Sequence, residues 1–254
     1  DLLERLELDR PELVTASDLA QIASEEGIAT PAAVLAARMR EKGWLLPTGQ
    51  RGIWEFAPAE VAGPYSSMDP LLPIKAFTAA HPGLAPALTM QAAAWALGLA
   101  DRAPATMDVA FAERPSASLP EGVRAHAFAP ALPARETRSV AALVPESIVV
   151  HMAASPTRVP SWQSAAEWLP DVVYEMGVGE TLAELAGRRD SVRARTGYLL
   201  QGMRPDIAGA IMGSGAPTAK VRFGPRKGSL RNDERWKVAD TLLPFDPREM
   251  EAVR

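Results

Sequence analysis

The sequence predicts an α+β chain in two parts: an N-terminal domain over residues 1–60 and a larger mixed α/β domain over residues 61–254. Three observations predict it. In the first sixty residues, two capped helix signals stand either side of a tight turn, and two short apolar strands follow around a turn-rich loop. Past residue 60, strand-like and helix-like runs mix irregularly, which argues against a regular parallel sheet. Between Pro58 and Pro170 the chain holds 15 of its 23 prolines, so elements there must be short.

Leu2, Leu3, Leu6 and Leu8 suit a short amphipathic helix, stopped near Arg10-Pro11 because a residue before proline disfavours the α region. Thr15 with Asp18 three positions on is a capping-box variant. The helix it opens carries Leu19, Ile22 and Ala23 on one face, and Gly27 is its stop. Thr30 as N-cap and Pro31 at the first helical position then open a helix to about Lys42, closed by Gly43. Trp44–Leu46 and Ile53–Phe56 read as strands around a loop of wing length, residues 47–52. Helix, helix-turn-helix and hairpin in this order predict a winged helix-turn-helix. Residues 57–64 read as a linker. Further on, helices are expected at about 69–80, 89–97, 161–176, 180–188, 190–202 and 205–212. Strands are expected near 107–112, 124–128, 147–152, 219–223 and 235–243, with a basic loop at 224–234.

Composition narrows the function classes. No cysteine is present, which removes disulfide scaffolds, cysteine-ligated zinc, iron–sulfur clusters and thiol catalysis. Three scattered histidines leave no metal-ligand cluster, so no metal and no cofactor are expected. No stretch approaches the ~20 apolar residues of a membrane span, and no apolar leader opens the sequence, so a cytoplasmic protein with no membrane partner is expected. The net charge of −4 hides an uneven distribution. Residues 1–60 carry −5, whereas residues 186–240 hold 12 of the 27 basic side chains and a net +7.

In a winged helix, the helix 31–42 is the one that enters the major groove. Leu35 and Met39 point inward, Ala33, Ala37 and Arg40 point outward, and Ala36 and Arg38 flank them. Small outward side chains let such a helix sink into the groove, where alanine touches a thymine methyl and arginine reaches guanine. Thr30 and the helix N-terminus offer donors to a phosphate, Lys42 adds charge, and Gln50 and Arg51 stand at the wing tip. The candidate DNA-binding residues are therefore Thr30, Ala33, Ala37, Arg38, Arg40, Lys42, Gln50 and Arg51. A second candidate surface for nucleic acid or an acidic protein lies in the basic band. Arg188, Arg189, Arg193 and Arg195 fall on a helix there, and Lys220, Arg222, Arg226, Lys227 and Arg231 on a strand-loop-strand, continued by Arg235 and Lys237.

Enzyme signals are weak. Gly177-Val178-Gly179 starts like a dinucleotide loop but lacks the third glycine and follows helical sequence. Ser214 lacks the glycine spacing of a nucleophile elbow. His151 sits alone at an expected strand end, and Asp171, Glu175, Glu180 and Glu184 fall on expected helix surfaces. No catalytic set is expected, and the chain reads as a non-enzyme.

The chain as a whole resembles one family. The run Leu88-Thr89-Met90-Gln91-Ala92-Ala93-Ala94-Trp95-Ala96-Leu97-Gly98-Leu99, followed by Pro104 and Met107-Asp108-Val109-Ala110, is similar to the AbiEi antitoxins of type IV toxin–antitoxin pairs, which include mycobacterial antitoxins paired with nucleotidyltransferase toxins. The wing Gln50 to Phe56 resembles the family's "vgrGvY" segment with Trp54 at the usual tyrosine, and Arg235–Asp240 resembles its C-terminal strand. The resemblance implies a bifunctional protein: a winged helix that represses its own operon on double-stranded operator DNA, and a C-terminal domain that counters a nucleotidyltransferase toxin. Two alternatives remain, a regulator whose second domain senses a small ligand and an enzyme with a DNA-binding appendage.

Overall fold

The computed structural model describes residues 1–60, 69–225, 228 and 230–252. It is an α+β chain of two compact units, one formed by residues 1–85 with 117–123, the other by residues 86–116 with 124–254.

In the first unit, α1 (Leu2–Asp9) ends where Arg10 turns left-handed at φ 43°, and β1 (Leu13–Thr15) follows. Thr15 then caps α2 (Ala16–Glu25): its hydroxyl accepts from the Asp18 N–H at 3.1 Å, and the Asp18 carboxylate accepts from the Thr15 N–H at 2.7 Å. Both bonds satisfy donors that the first helical turn leaves free. Gly27, at φ +65°, turns the chain so that Ile28 N–H reaches the Ala23 carbonyl at 2.7 Å. α3 (Ala32–Glu41) starts one residue later than expected. Pro31, and not Thr30, is its N-cap, because the Pro31 carbonyl takes the first intrahelical bonds, from Val34 and Leu35.

β2 (Leu45–Pro47) and β3 (Ile53–Phe56) pair antiparallel, and β1 pairs antiparallel with β3 to complete a sheet in the order β1-β3-β2. Leu2, Leu6, Val14, Leu19, Ala36, Met39, Leu45 and Phe56 close the core between helices and sheet. Ala36 thus faces inward, where periodicity had set it at the flank. The unit also takes in α4 (Leu72–Ala80), which packs on β3. Lys75 on α4 reaches Glu12 at 2.5 Å and Asp69 at 2.8 Å.

The second unit holds a five-stranded sheet from β4 (Ala87–Leu88), β5 (Met107–Phe111), β6 (Val123–Ala127), β7 (Arg135–Thr137) and β8 (Val140–Ala142), in the order β6-β5-β4-β8-β7. α5 (Met90–Ala96) leaves β4 directly. The strand expected over 147–152 is instead the middle of a helix, α6 (Pro145–Ala154). Every residue from Pro145 to Ala153 is buried, so this apolar run has no polar face to reveal a period of 3.6. Pro145 in its first turn marks the start. α7 (Trp162–Tyr174), α8 (Val178–Leu185), α9 (Asp190–Leu200) and α10 (Pro205–Gly213) follow, and α5, α7, α8 and α9 all pack on α6.

A last sheet, β10-β11-β9, joins β9 (Val221–Phe223), β10 (Arg231–Asp233) and β11 (Val238–Asp240). β10 occupies the end of the segment expected to be a basic loop. The expected strand 235–243 is shorter, because Lys237 is left-handed at φ 51° and Trp236 N–H donates to Asp233 Oδ1 in a turn.

Candidate functional site

The first unit segregates its cations. Arg5 pairs with Asp9 at 2.7 Å, Arg10 with Glu60 at 3.0 Å, and Lys75 with Glu12 and Asp69. Arg38, Arg40, Lys42 and Arg51 are exposed and, among the described residues, have no salt bridge. All four lie on α3, at its C-cap or in the loop between β2 and β3. A cation without a carboxylate partner is not neutralised locally and stays available to an external anion, although the domain's net negative charge opposes that attraction.

The same face of α3 presents Ala33, Val34 and Ala37, while Ala32, Leu35, Ala36 and Met39 pack inward. Val34, 40% exposed, is a face residue that the helical wheel had not singled out. Its signal was available: it lies three and four residues before Ala37 and Arg38. Thr30 is half-buried just before the helix. A shallow groove of about 720 Å³ runs beside α3 between Ala37, Arg40 and the Leu45–Pro47 strand.

The 48–52 loop is held at its base. Thr48 Oγ1 donates to the Ile53 carbonyl at 2.8 Å and accepts from Gln50 N–H at 3.3 Å. Gly49 and Gly52, at φ +80° and +75°, make the turn, and the Gly52 carbonyl accepts from Ala16 N–H at 2.9 Å. Arg51 projects from this tip, with Gln50 half-buried beside it.

In the second unit, most arginines of the basic band brace the fold. Arg188 pairs with the buried Glu184, donates to the Glu184 and Ala129 carbonyls at 2.8 and 2.9 Å, and lies over the Phe128 ring at 4.3 Å. Arg193 donates to Ser214 Oγ at 2.5 Å, and Arg195 to the Arg222 carbonyl at 2.6 Å. Burial lowers the Arg195 pKa. Arg231 reaches Asp240 at 2.9 Å and the Leu243 carbonyl at 3.0 Å. Arg189, Lys220, Arg222, Arg235 and Lys237 are the exposed members, and Arg226 and Lys227 lie outside the described residues.

Glu184 corrects an expectation, since it is fully buried and not on a helix surface. One carboxylate oxygen accepts from Ala131 N–H, Leu132 N–H and Ser147 Oγ at 3.0, 3.0 and 2.7 Å, and the other faces Arg188. Beside this knot, His151 is buried inside α6 and not at a strand end. Its Nδ1 pairs with Thr89 Oγ1 at 2.7 Å and its ring stacks on Phe128 at 4.4 Å. Burial, with His126 and Arg188 nearby, pushes its pKa down to about 3, so it is neutral. His126 donates from Nε2 to Asp108 at 2.7 Å, and both are buried. Glu184, His151, His126 and Asp108 are all buried side chains. Gly177-Val178-Gly179 joins α7 to α8, a helix-to-helix turn unlike the strand-to-helix turn of a dinucleotide site.

Residues 86–202 match the family model of the AbiEi antitoxin C-terminal domain, from the first residue of the second unit to just past α9. This segment of the chain is similar to the AbiEi antitoxin C-terminal domain. The crystal structure of the RV2827C protein from Mycobacterium tuberculosis is similar over 95% of this chain and 90% of that one, at 26% sequence identity and a TM-score of 0.76. No curated protein matches. The Glu184 knot, the His151 cluster and Arg188 through Arg195 all fall within the matched segment, whereas Lys220, Arg222 and Arg231 follow it. A cavity of about 530 Å³ in this domain is walled by Leu97, Leu99, Leu132 and Val144, with Glu146 and Arg135 at its polar sides. Among the described residues, no helix is long and apolar enough to cross a membrane.

Proposed function

We propose that this chain is a DNA-binding antitoxin: its N-terminal unit is a winged helix that represses the chain's own operon, and its AbiEi domain counters a nucleotidyltransferase toxin. The observation that carries the DNA half is the charge segregation of the first unit. Among the described residues, its side-chain cations are ion-paired except Arg38, Arg40, Lys42 and Arg51, which stand on a helix face and a loop tip without a carboxylate partner. The element order α1-β1-α2-α3-β2-β3 and the antiparallel sheet β1-β3-β2 support the winged-helix reading. In such a unit α3 enters the major groove and the loop tip follows the backbone or the minor groove. The match over residues 86–202 supports the antitoxin half.

The two halves are tested separately. Intact protein titrated onto the DNA upstream of its reading frame, at low salt, is expected to give a sequence-specific shift. Co-expression with the adjacent reading frame is expected to relieve that frame's toxicity, and a frame that is harmless alone would contradict the antitoxin half. The 530 Å³ cavity favours one second reading, a regulator whose AbiEi domain senses a small ligand. Operator affinity that changes on adding a cell-metabolite extract would favour it.

A further inference from the structure

We propose that α3 reads thymine: the DNA it recognises is selected through the C5-methyl groups of thymine, with Val34 as the principal contact. The inference rests on the DNA-binding reading above and names what that same face selects. It follows from the inventory of exposed groups. A helix lying in the major groove touches base edges with its N-terminal turns. The exposed side chains among the first six residues of α3 are Ala33, Val34 and Ala37, with the exposed Arg38 next, and α3 contains no Ser, Thr, Asn or Gln. Every side chain in the groove-entering half therefore ends in a methyl group, and none of them can exchange a hydrogen bond with a base.

A methyl surface distinguishes base pairs in one way. Thymine alone presents an apolar group in the major groove, and guanine, adenine and cytosine present only donors and acceptors there. Seating Val34 against any other base edge would desolvate a polar atom without replacing its hydrogen bond. Val34 is the part of this face that a bland surface does not explain. It is β-branched, which gains nothing in a helix, and it is 40% exposed where most large apolar side chains are buried. Hydrogen-bond readout is left to Arg38 and Arg40, four and six residues past Val34, with Glu41 beyond them.

The test uses the full chain and one bound DNA fragment made in two forms, with thymine or with deoxyuridine throughout, which differ only in the C5-methyl groups. Burying one methyl is worth about fourfold in affinity, so two or three contacts predict a loss of about tenfold or more on the uracil form. Non-specific binding to unrelated DNA is expected to be equal in both forms. Val34→Thr keeps the shape and replaces one exposed methyl by a hydroxyl, and it is expected to shrink the thymine-to-uracil ratio severalfold. Specific binding with equal affinity for the two forms would overturn this inference and leave the DNA-binding reading standing. A Val34→Thr variant with an unchanged ratio would overturn the assignment to Val34. Absence of specific binding to the thymine form would overturn both.

Discussion

The fully buried Glu184 carboxylate is the point at which the second unit is most sensitive to substitution. It gathers two backbone N–H groups at the entry to β7, the Ser147 hydroxyl on α6 and the Arg188 guanidinium beyond α8. Glu184→Gln keeps the size and one acceptor oxygen. The new amide nitrogen, however, must face either Arg188 or the three donors, and in both orientations donor meets donor. Breaking a buried pair by removing one partner costs about 3–5 kcal/mol, because the surviving charge stays desolvated. Arg188 is 19% exposed at its side chain and regains some water, which places the expectation toward the lower end. At about 2–4 °C per kcal/mol for a chain of this size, calorimetry of the full chain should show Tm falling by roughly 6–15 °C. Arg188→Met should fall less, since three donors still hold the carboxylate. A Gln variant within about 1 kcal/mol of the parent would refute the reasoning.

Three further outcomes are expected. His151 has a folded pKa lowered to about 3 from an ordinary 6.5, so the unfolded chain binds the extra proton between those values and its share of stability, complete above pH 6.5, is lost as pH falls from 6.5 towards 3. Urea titrations should lose about 1.4 kcal/mol per pH unit below 6.5 from this group, and His151→Gln should flatten that slope. Gly197→Ala, inside α9, would gain about 1 kcal/mol on helix propensity alone, but its Cβ would fall within the buried Trp236 ring, so chemical denaturation should show a net loss of about 1–3 kcal/mol. Arg40→Ala should weaken binding by about 1–3 kcal/mol on specific DNA if it reads a base, and equally on random DNA if it touches a phosphate, as measured by anisotropy.

The first unit was the most legible part of the chain because its signals are local. Thr15 with Asp18, and Gly27 and Gly43 at positive φ, each act within a turn of their own position. β1, β4, β7 and β8 escaped notice because two or three residues are too few to show a period of two; neighbouring strands define them. α6 was misread as a strand for the opposite reason, since a run buried on every side carries no period at all. The basic band shows the limit of charge counting. Arg188, Arg193, Arg195 and Arg231 donate to the Ala129 carbonyl, the Ser214 hydroxyl, the Arg222 carbonyl and the Asp240 carboxylate, partners that only the fold brings beside them. On α3 the charges were readable together with their side of the helix, but Val34 was passed over beside the alanines.

On the DNA-binding reading, Arg38, Arg40, Lys42 and Arg51 meet DNA phosphate and base edges. Its most direct test is the affinity of the intact chain for its upstream DNA across a salt series, compared with a variant carrying Gln at Arg38, Arg40, Lys42 and Arg51. Each phosphate contact steepens the slope of log K against log salt by about 0.9, so the variant should bind more weakly and with a slope shallower by about 2–4. Equal affinity and equal slope in the two proteins would show that these side chains do not meet DNA.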